Sequence, residues 1–292
     1  MMRILMFAAT NIAIMIVISI LFSLFGLNGY LSAQGLDLGK LLMMSAVIGV
    51  TGSIVSLAMS KTMAKSSMGV QIIDQPQNQT EKWLIDIVTK QAQKVGIDMP
   101  EVGIFQAPVA NAFATGMSKN SSLVAVSTGL LQSMTPDEVE AVVGHEMSHV
   151  ANGDMVTMAL MQGVLNTFVY FFASIIGYVV DRALSGNNER SGVGMGYYLV
   201  QMIAQVALGF LASMLVCWFS RYREFKADAG GANLAGRDKM IGALRALQRG
   251  HEAEVLPGQF AAFGINGGGG IQKLFMTHPP LEERIAALQN SR

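Results

Sequence analysis

The chain has 292 residues, of which 51% are hydrophobic and only 14% charged, and its 20 basic side chains balance 20 acidic ones for a net charge of zero. That neutrality offers nothing to nucleic acid or another polyanion, and a mean hydropathy of +0.42 is that of an integral membrane protein. Cys217 is the single cysteine, which excludes an internal disulfide and argues against thiolate zinc ligation, while the 21 methionines read as apolar filler.

In chain order, Ile4 to Leu27 is the first stretch long and uncharged enough to cross a bilayer. Its apolar run outlasts a signal-peptide core and no small-x-small cleavage site follows, so it reads as an uncleaved signal anchor. Leu41 to Ser60 is the second span, and its Ser45, Gly49 and Ser53 at four-residue spacing let another helix approach closely. The sequence then turns globular. Thr80 to Gly96 carries Trp83, Leu84, Ile87, Val88 and Val95 on one face, an amphipathic helix ended by Gly96. Short strands are predicted at Val102 to Phe105, Ala112 to Thr115 and Leu123 to Ser127. An exposed edge strand there can bind a peptide backbone by strand addition; equally, the strands can simply roof the core.

Thr135-Pro136-Asp137-Glu138 is a helix start, with Thr135 as N-cap, proline in the first turn and Glu138 completing a capping box. Val139, Val142, Val143, Met147 and Val150 recur at helical spacing, and Asn152-Gly153 supplies the stop. Inside this helix lies His145-Glu146-Met147-Ser148-His149. Histidines at i and i+4 share one helical face and can share one Zn²⁺, with Glu146 beside the open position as general base for an attacking water. The plainer alternative, two histidines on a solvated face, fits poorly with the apolar residues around Glu146 and His149.

Met155 to Val180 and Val193 to Ser220 form a further pair of spans, or a buried hairpin abutting the catalytic segment. Four regions result: a membrane hairpin at 1–60, a metalloprotease segment at 61–154, a second hairpin at 155–220 and a closing segment at 221–292. Lys61 and Lys65 follow the second span, and Arg221, Arg223 and Lys226 follow the fourth. This basic excess places the N-terminus, the 61–154 segment and the tail on the cytoplasmic side.

A catalytic zinc with two histidines needs a third protein ligand. Glu224, on the membrane-proximal run Arg221 to Asp228, is the leading candidate, against Asp154, Glu252, Glu254, Glu282 and Glu283 together. Asp228, one helical turn beyond Glu224, can orient a ligand histidine through its other ring nitrogen. Downstream, Asp238 to Arg249 is amphipathic, Gly264 to Gly270 is no phosphate loop, and His278-Pro279-Pro280 leads into a short helix with Arg284 and Ile285. His251 lies in a polar stretch and reads as solvated.

Asn111-Ala112-Phe113-Ala114-Thr115-Gly116, the run His145 to Asp154, Arg223 to Asp228, and His278-Pro279-Pro280 with Arg284 together resemble the HtpX membrane metalloproteases, relatives of the CAAX prenyl endoprotease, along essentially the whole chain. The resemblance implies a mainly α membrane protein, with about four transmembrane helices plus an α+β gluzincin-like zinc metalloprotease domain containing a small sheet. It implies one Zn²⁺ per chain on His145, His149 and Glu224, with Glu146 as base. It further implies His278 as oxyanion donor, Asn111 as a substrate contact and Arg284 as a brace. The expected role is endoproteolysis of misfolded or damaged membrane proteins, a stress response and quality-control function, in the lipid bilayer of a bacterial inner membrane with the active site facing the cytoplasm. Two rivals stand beside it. An intramembrane-cleaving protease is disfavoured by Asp137, Glu138 and Glu140 on the metal helix. A non-catalytic adaptor or holdase with structural zinc would use four protein ligands and have no need of Glu146.

Overall fold

A computed structural model of the protein describes residues 36–185, 193–253 and 276–291, with a few isolated positions before residue 36. Apart from those isolated positions, the expected span Ile4 to Leu27 lies outside the described residues, as do the run Gly264 to Gly270, Glu254 and the side chains of His251 and Glu252. Two compact units emerge, one from Met1–Ser56 with Thr157–Val216, the other from Leu57–Val156 with Cys217–Arg292.

The first unit draws on three helices: α1 (Leu38–Met68), α5 (Asp154–Ser185) and α6 (Met195–Ala235). Among the described residues these are the three long and apolar enough to cross a membrane. On α6 the side chains of Met202, Ile203, Val206, Phe210, Leu211, Leu215 and Trp218 stand more than half exposed. A contiguous apolar surface of this size is compatible with lipid rather than with water. The small residues of α1 do bring helices together. Gly49 meets the Gly163 carbonyl of α5, which a methyl group at Gly49 would approach to 2.7 Å. Gln201 of α6 donates to Ser174 of α5 at 2.7 Å, and Asp181 accepts from the amides of Gly194 and Tyr197, closing the hairpin.

Two of the helices run past the apolar stretches expected to cross the bilayer. α1 begins three residues before Leu41 and continues to Met68, and α6 runs unbroken to Ala235 rather than stopping near Ser220. The reason is that no proline interrupts either run, and the charged residues beyond the apolar stretch find partners within the second unit. Lys61 and Lys65, for example, both pair with Glu101.

In that second unit β1 (Gln71–Ile72), β2 (Glu101–Phe105), β3 (Ala112–Ser118) and β4 (Ser121–Ser127) form a mixed sheet in the order β1-β2-β4-β3. β2 and β4 are parallel, the outer pairs antiparallel. The sheet, α2 (Gln79–Val95) and α7 (Arg237–Ala253) pack around α4 (Pro136–Asn152), with α3 (Thr128–Ser133) ahead of it and α8 (Leu281–Asn290) on α7. β1 and α3 carry too little pattern to be read beforehand. α4 has the predicted capping box at Thr135 and Glu138, and Gly153 ends it in the left-handed conformation (φ 61°) that glycine adopts without strain. Val139, Val143, Met147 and Val150 are buried against Leu84 and Val88 of α2, Val124 and Val126 of β4, and Met240 and Leu244 of α7. A helix enclosed on several sides in this way holds its side chains in fixed rotamers, which a metal site requires.

Candidate metal centre

One helical turn separates His145 from His149 on α4, and their rings meet edge to face with Nε2 atoms 3.1 Å apart. α6 supplies a carboxylate to the same point. Glu224 Oε2 lies 3.5 Å from His145 Nε2 and Glu224 Oε1 lies 3.3 Å from His149 Nε2. Tetrahedral zinc bound at about 2.0–2.1 Å requires ligand atoms about 3.3–3.4 Å apart. The observed spacings bracket that edge, and these three residues are a group of metal-binding type among the described residues. Glu224 Oε2 is moreover buried without a hydrogen bond of good geometry. The donor set therefore fits a single zinc ion.

Glycines make this approach possible. Gly230 and Gly231 of α6 lie against Ser148 and the backbone of His145, and Gly144 of α4 faces Gly231 in return. At these glycines the two helices approach closely, and Glu224, two turns before Gly231, reaches the imidazoles.

Each histidine is held from behind. His145 Nδ1 meets Asp228 Oδ1 at 2.9 Å, and Arg284 grips Asp228 with Nε at 2.8 Å from Oδ2 and a terminal nitrogen at 2.6 Å from Oδ1. His149 Nδ1 meets Asp154 Oδ2 at 2.6 Å, and Asp154 is paired with Arg223. Both ring nitrogens that could bind metal thus point to the shared focus, because the other nitrogen of each ring faces a carboxylate.

Electrostatics agree. Burial disfavours charge on His145, but hydrogen bonds to Asp228 and Glu224 outweigh it and raise the imidazole pKa. Burial likewise works against the Glu224 carboxylate, yet contacts with His145, His149 and His278 hold its pKa far below the usual carboxylate range. Asp228 is also held low, with Arg284 and then His145 overcoming its burial. The negative field that favours a proton on His145 equally favours a divalent cation at the focus. Glu146 differs: burial raises its carboxyl above the ordinary range, against the pull of the two histidines. A raised carboxyl beside these three converging groups is suited to accepting and returning a proton.

His145, Glu146 and Glu224 line a cleft of about 220 Å³ that also holds Ala110, Asn111 and Ala112 at the start of edge strand β3. Much of its wall is apolar, from Leu130, Val142, Met240, Leu244, Leu247 and Leu281. His278 stands at the cleft, 63% exposed, with Nδ1 2.8 Å from Glu224 Oε2. Asn111 is fixed by its backbone, its amide donating to Ser127 Oγ and its carbonyl accepting from the Ser127 amide.

Of the other carboxylates weighed as third ligand, the side chains of Asp154, Glu282 and Glu283 are described, and they fall elsewhere. Asp154 faces Nδ1 of His149, the side away from Glu224. Glu282 and Glu283 are exposed, and Glu282 accepts from Gln248. The pairings of Asp154 with His149 and Arg223 had no reading in the sequence; the one available signal is an acid immediately beyond the glycine that ends the metal helix.

The profile of peptidase family M48 matches residues 78–292. The chain is 58% identical to Protease HtpX of Pseudoalteromonas atlantica over 291 residues, covering 99% of each, and 58% identical to a Protease HtpX homolog of Thiobacillus denitrificans over 291 residues with the same coverage. It shares its fold with the crystal structure of S. mikatae Ste24p, at a TM-score of 0.64 and 18% identity over 95% of this chain. The chain spans 66% of the length of that structure's chain.

Proposed function

The chain belongs to peptidase family M48 and is a membrane-bound metalloprotease, and from that premise we propose that it holds one zinc ion per chain and hydrolyses peptide bonds of misfolded or damaged membrane proteins. Its place is a bacterial inner membrane, with the active site open to the cytoplasm. The observation that carries the reading is the meeting of His145 Nε2, His149 Nε2 and the Glu224 carboxylate within a tetrahedral edge of one another, at the mouth of a cleft beside Glu146.

His145, His149 and Glu224 hold the metal, and Asp228 and Asp154 keep the two imidazoles turned toward it. When bound, zinc supplies a Lewis acid that polarises the scissile carbonyl and lowers the pKa of the attacking water from about 15.7 toward 7. Glu146 takes the proton from that water onto a carboxylate oxygen as oxygen attacks the carbonyl carbon. As the C–N bond breaks, the same carboxyl passes the proton to the leaving nitrogen. His278, exposed at the cleft, donates to the developing oxyanion. The outer edge of β3, which begins just after Asn111, pairs with the substrate backbone by strand addition and sets the scissile carbonyl in the cleft, where the Asn111 side chain contacts the substrate. The apolar wall of Val142, Met240 and Leu244 excludes water from behind the reacting groups.

The test is metal content and proteolysis of the detergent-purified protein on an unfolded membrane-protein substrate. About one zinc per chain, with cleavage abolished by a chelator and restored by zinc, is the expected result. Metal-free protein that cleaves at the same rate would overturn the reading.

A further inference from the structure

Asp154 follows His149 by five residues, and on an uninterrupted helix it would point about 140° away from it. The chain instead breaks at Gly153, whose left-handed conformation ends α4, and Asp154 opens α5 facing back toward the histidine. Its Oδ2 lies 2.6 Å from His149 Nδ1, a short charge-assisted contact. Asp154 is only 5% exposed, and its second oxygen is paired with Arg223, itself 9% exposed and stacked over the Phe219 ring at 5.4 Å. Arg223 adjoins Glu224, so one ion pair ties the start of α5 to the turn of α6 that carries the carboxylate of the metal site.

We infer that Asp154 is a positioning residue for the metal centre, holding His149 in the tautomer and orientation that present Nε2 to the ligand focus, with Arg223 fixing Asp154 in turn. A carboxylate can only accept, so the proton of His149 resides on Nδ1 and the Nε2 lone pair is free for the metal. The arrangement repeats that of His145, Asp228 and Arg284 with different elements: α5 and α6 here, α6 and α8 there. The inference rests on the metal reading of His145, His149 and Glu224. The competing account is that Asp154 merely neutralises a buried Arg223.

The experiment titrates zinc into metal-stripped, full-length protein in detergent against a chromophoric chelator, and records the visible spectrum of the Co²⁺ form. Loss of such a partner weakens metal binding by about 10–100-fold. Asp154→Ala is expected toward the upper end with altered Co²⁺ bands, and Asp154→Asn, which still accepts from Nδ1, toward the lower end. In Asp154→Ala/Arg223→Ala the affinity stays low, since removing the arginine does not replace the acceptor on His149. If Asp154→Ala fails to fold, the isosteric Asp154→Asn carries the same test alone and with Arg223→Ala. Zinc affinity and Co²⁺ bands indistinguishable from wild type in the Asp154 variants, or recovery of both in the double variant, would overturn the inference while leaving the metal reading intact. Wild-type protein that takes up no zinc would overturn both.

Discussion

Gly231 of α6 backs directly onto His145 of α4: a methyl group on its Cα would lie 2.9 Å from the His145 amide nitrogen and 3.1 Å from its Cα. The neighbour is backbone inside a packed helix and has no room to yield. Gly231→Ala should therefore destabilise the protein by about 1–3 kcal/mol, the usual range for overpacking, and weaken zinc binding by shifting Glu224. Gly230 faces the Ser148 side chain instead, which can be removed. Gly230→Ala should be defective alone and partly rescued by Ser148→Gly, whereas Ser148→Gly should give Gly231→Ala no relief. Thermal unfolding of the four variants checks both expectations; equal rescue would place the tight contact elsewhere.

Glu146 lines the cleft but is not one of the three converging ligands. Glu146→Gln should keep about one zinc per chain and lose cleavage by a factor of about 10²–10⁴, the range for a general acid–base. His149→Ala should lose both metal and activity. Metal analysis beside a cleavage assay separates the two. Wild-type turnover in Glu146→Gln would remove Glu146 from the mechanism.

Asp228 and Glu224 share a face of α6, yet only Glu224 reaches the Nε2 atoms. Asp228→Asn should cost about 10–100-fold in zinc affinity and regain activity as zinc is raised. Glu224→Gln should remain far less active at every zinc concentration. Parallel zinc titrations of activity decide this; identical curves would mean that the two carboxylates have been assigned the wrong roles.

Burial opposes charge on Glu101, but Lys61 and Lys65 outweigh it and hold the carboxyl below the usual range. A carboxylate whose folded pKa is depressed contributes stability above its unfolded pKa, near 4.5, and loses that contribution as the pH falls through the lower folded value. The group is over one-third exposed, so solvent screening limits the effect. Glu101→Gln should lower stability at neutral pH by about 0.2–1 kcal/mol, and the gap from wild type should close as the solution is acidified below that window. Denaturation midpoints measured across the acid range test it; a gap that widens on acidification would contradict the assigned sign.

The proposed orientation has its own test. Cysteines introduced at Thr89 and Gln248 in a Cys217→Ser background should resist membrane-impermeant thiol reagents in intact cells and label once the membrane is opened. Labelling of either position in intact cells would place the catalytic unit on the other side of the membrane.

Much of the site's local scaffold could be read from the chain. The capping box at Thr135, the buried valines, the i, i+4 histidines and the stop at Gly153 all belong to one helix, where sequence spacing and spatial spacing are the same quantity. The long apolar helices were equally legible, since a bilayer demands length and uniform hydropathy and little else. By contrast, Glu224 stood among six carboxylates until resemblance to a family selected it, because nothing local relates residue 224 to residue 149. Asp154 is one of those rivals. Only the tertiary structure separates a carboxylate facing Nε2 from one facing Nδ1 of the same ring, a difference fixed by the turn at Gly153 and by the glycine contact between α4 and α6. The pairing of each aspartate with its own arginine, Arg223 or Arg284, likewise joins residues from separate elements, and buried charges acquire partners only once packing has removed the water that would otherwise serve them.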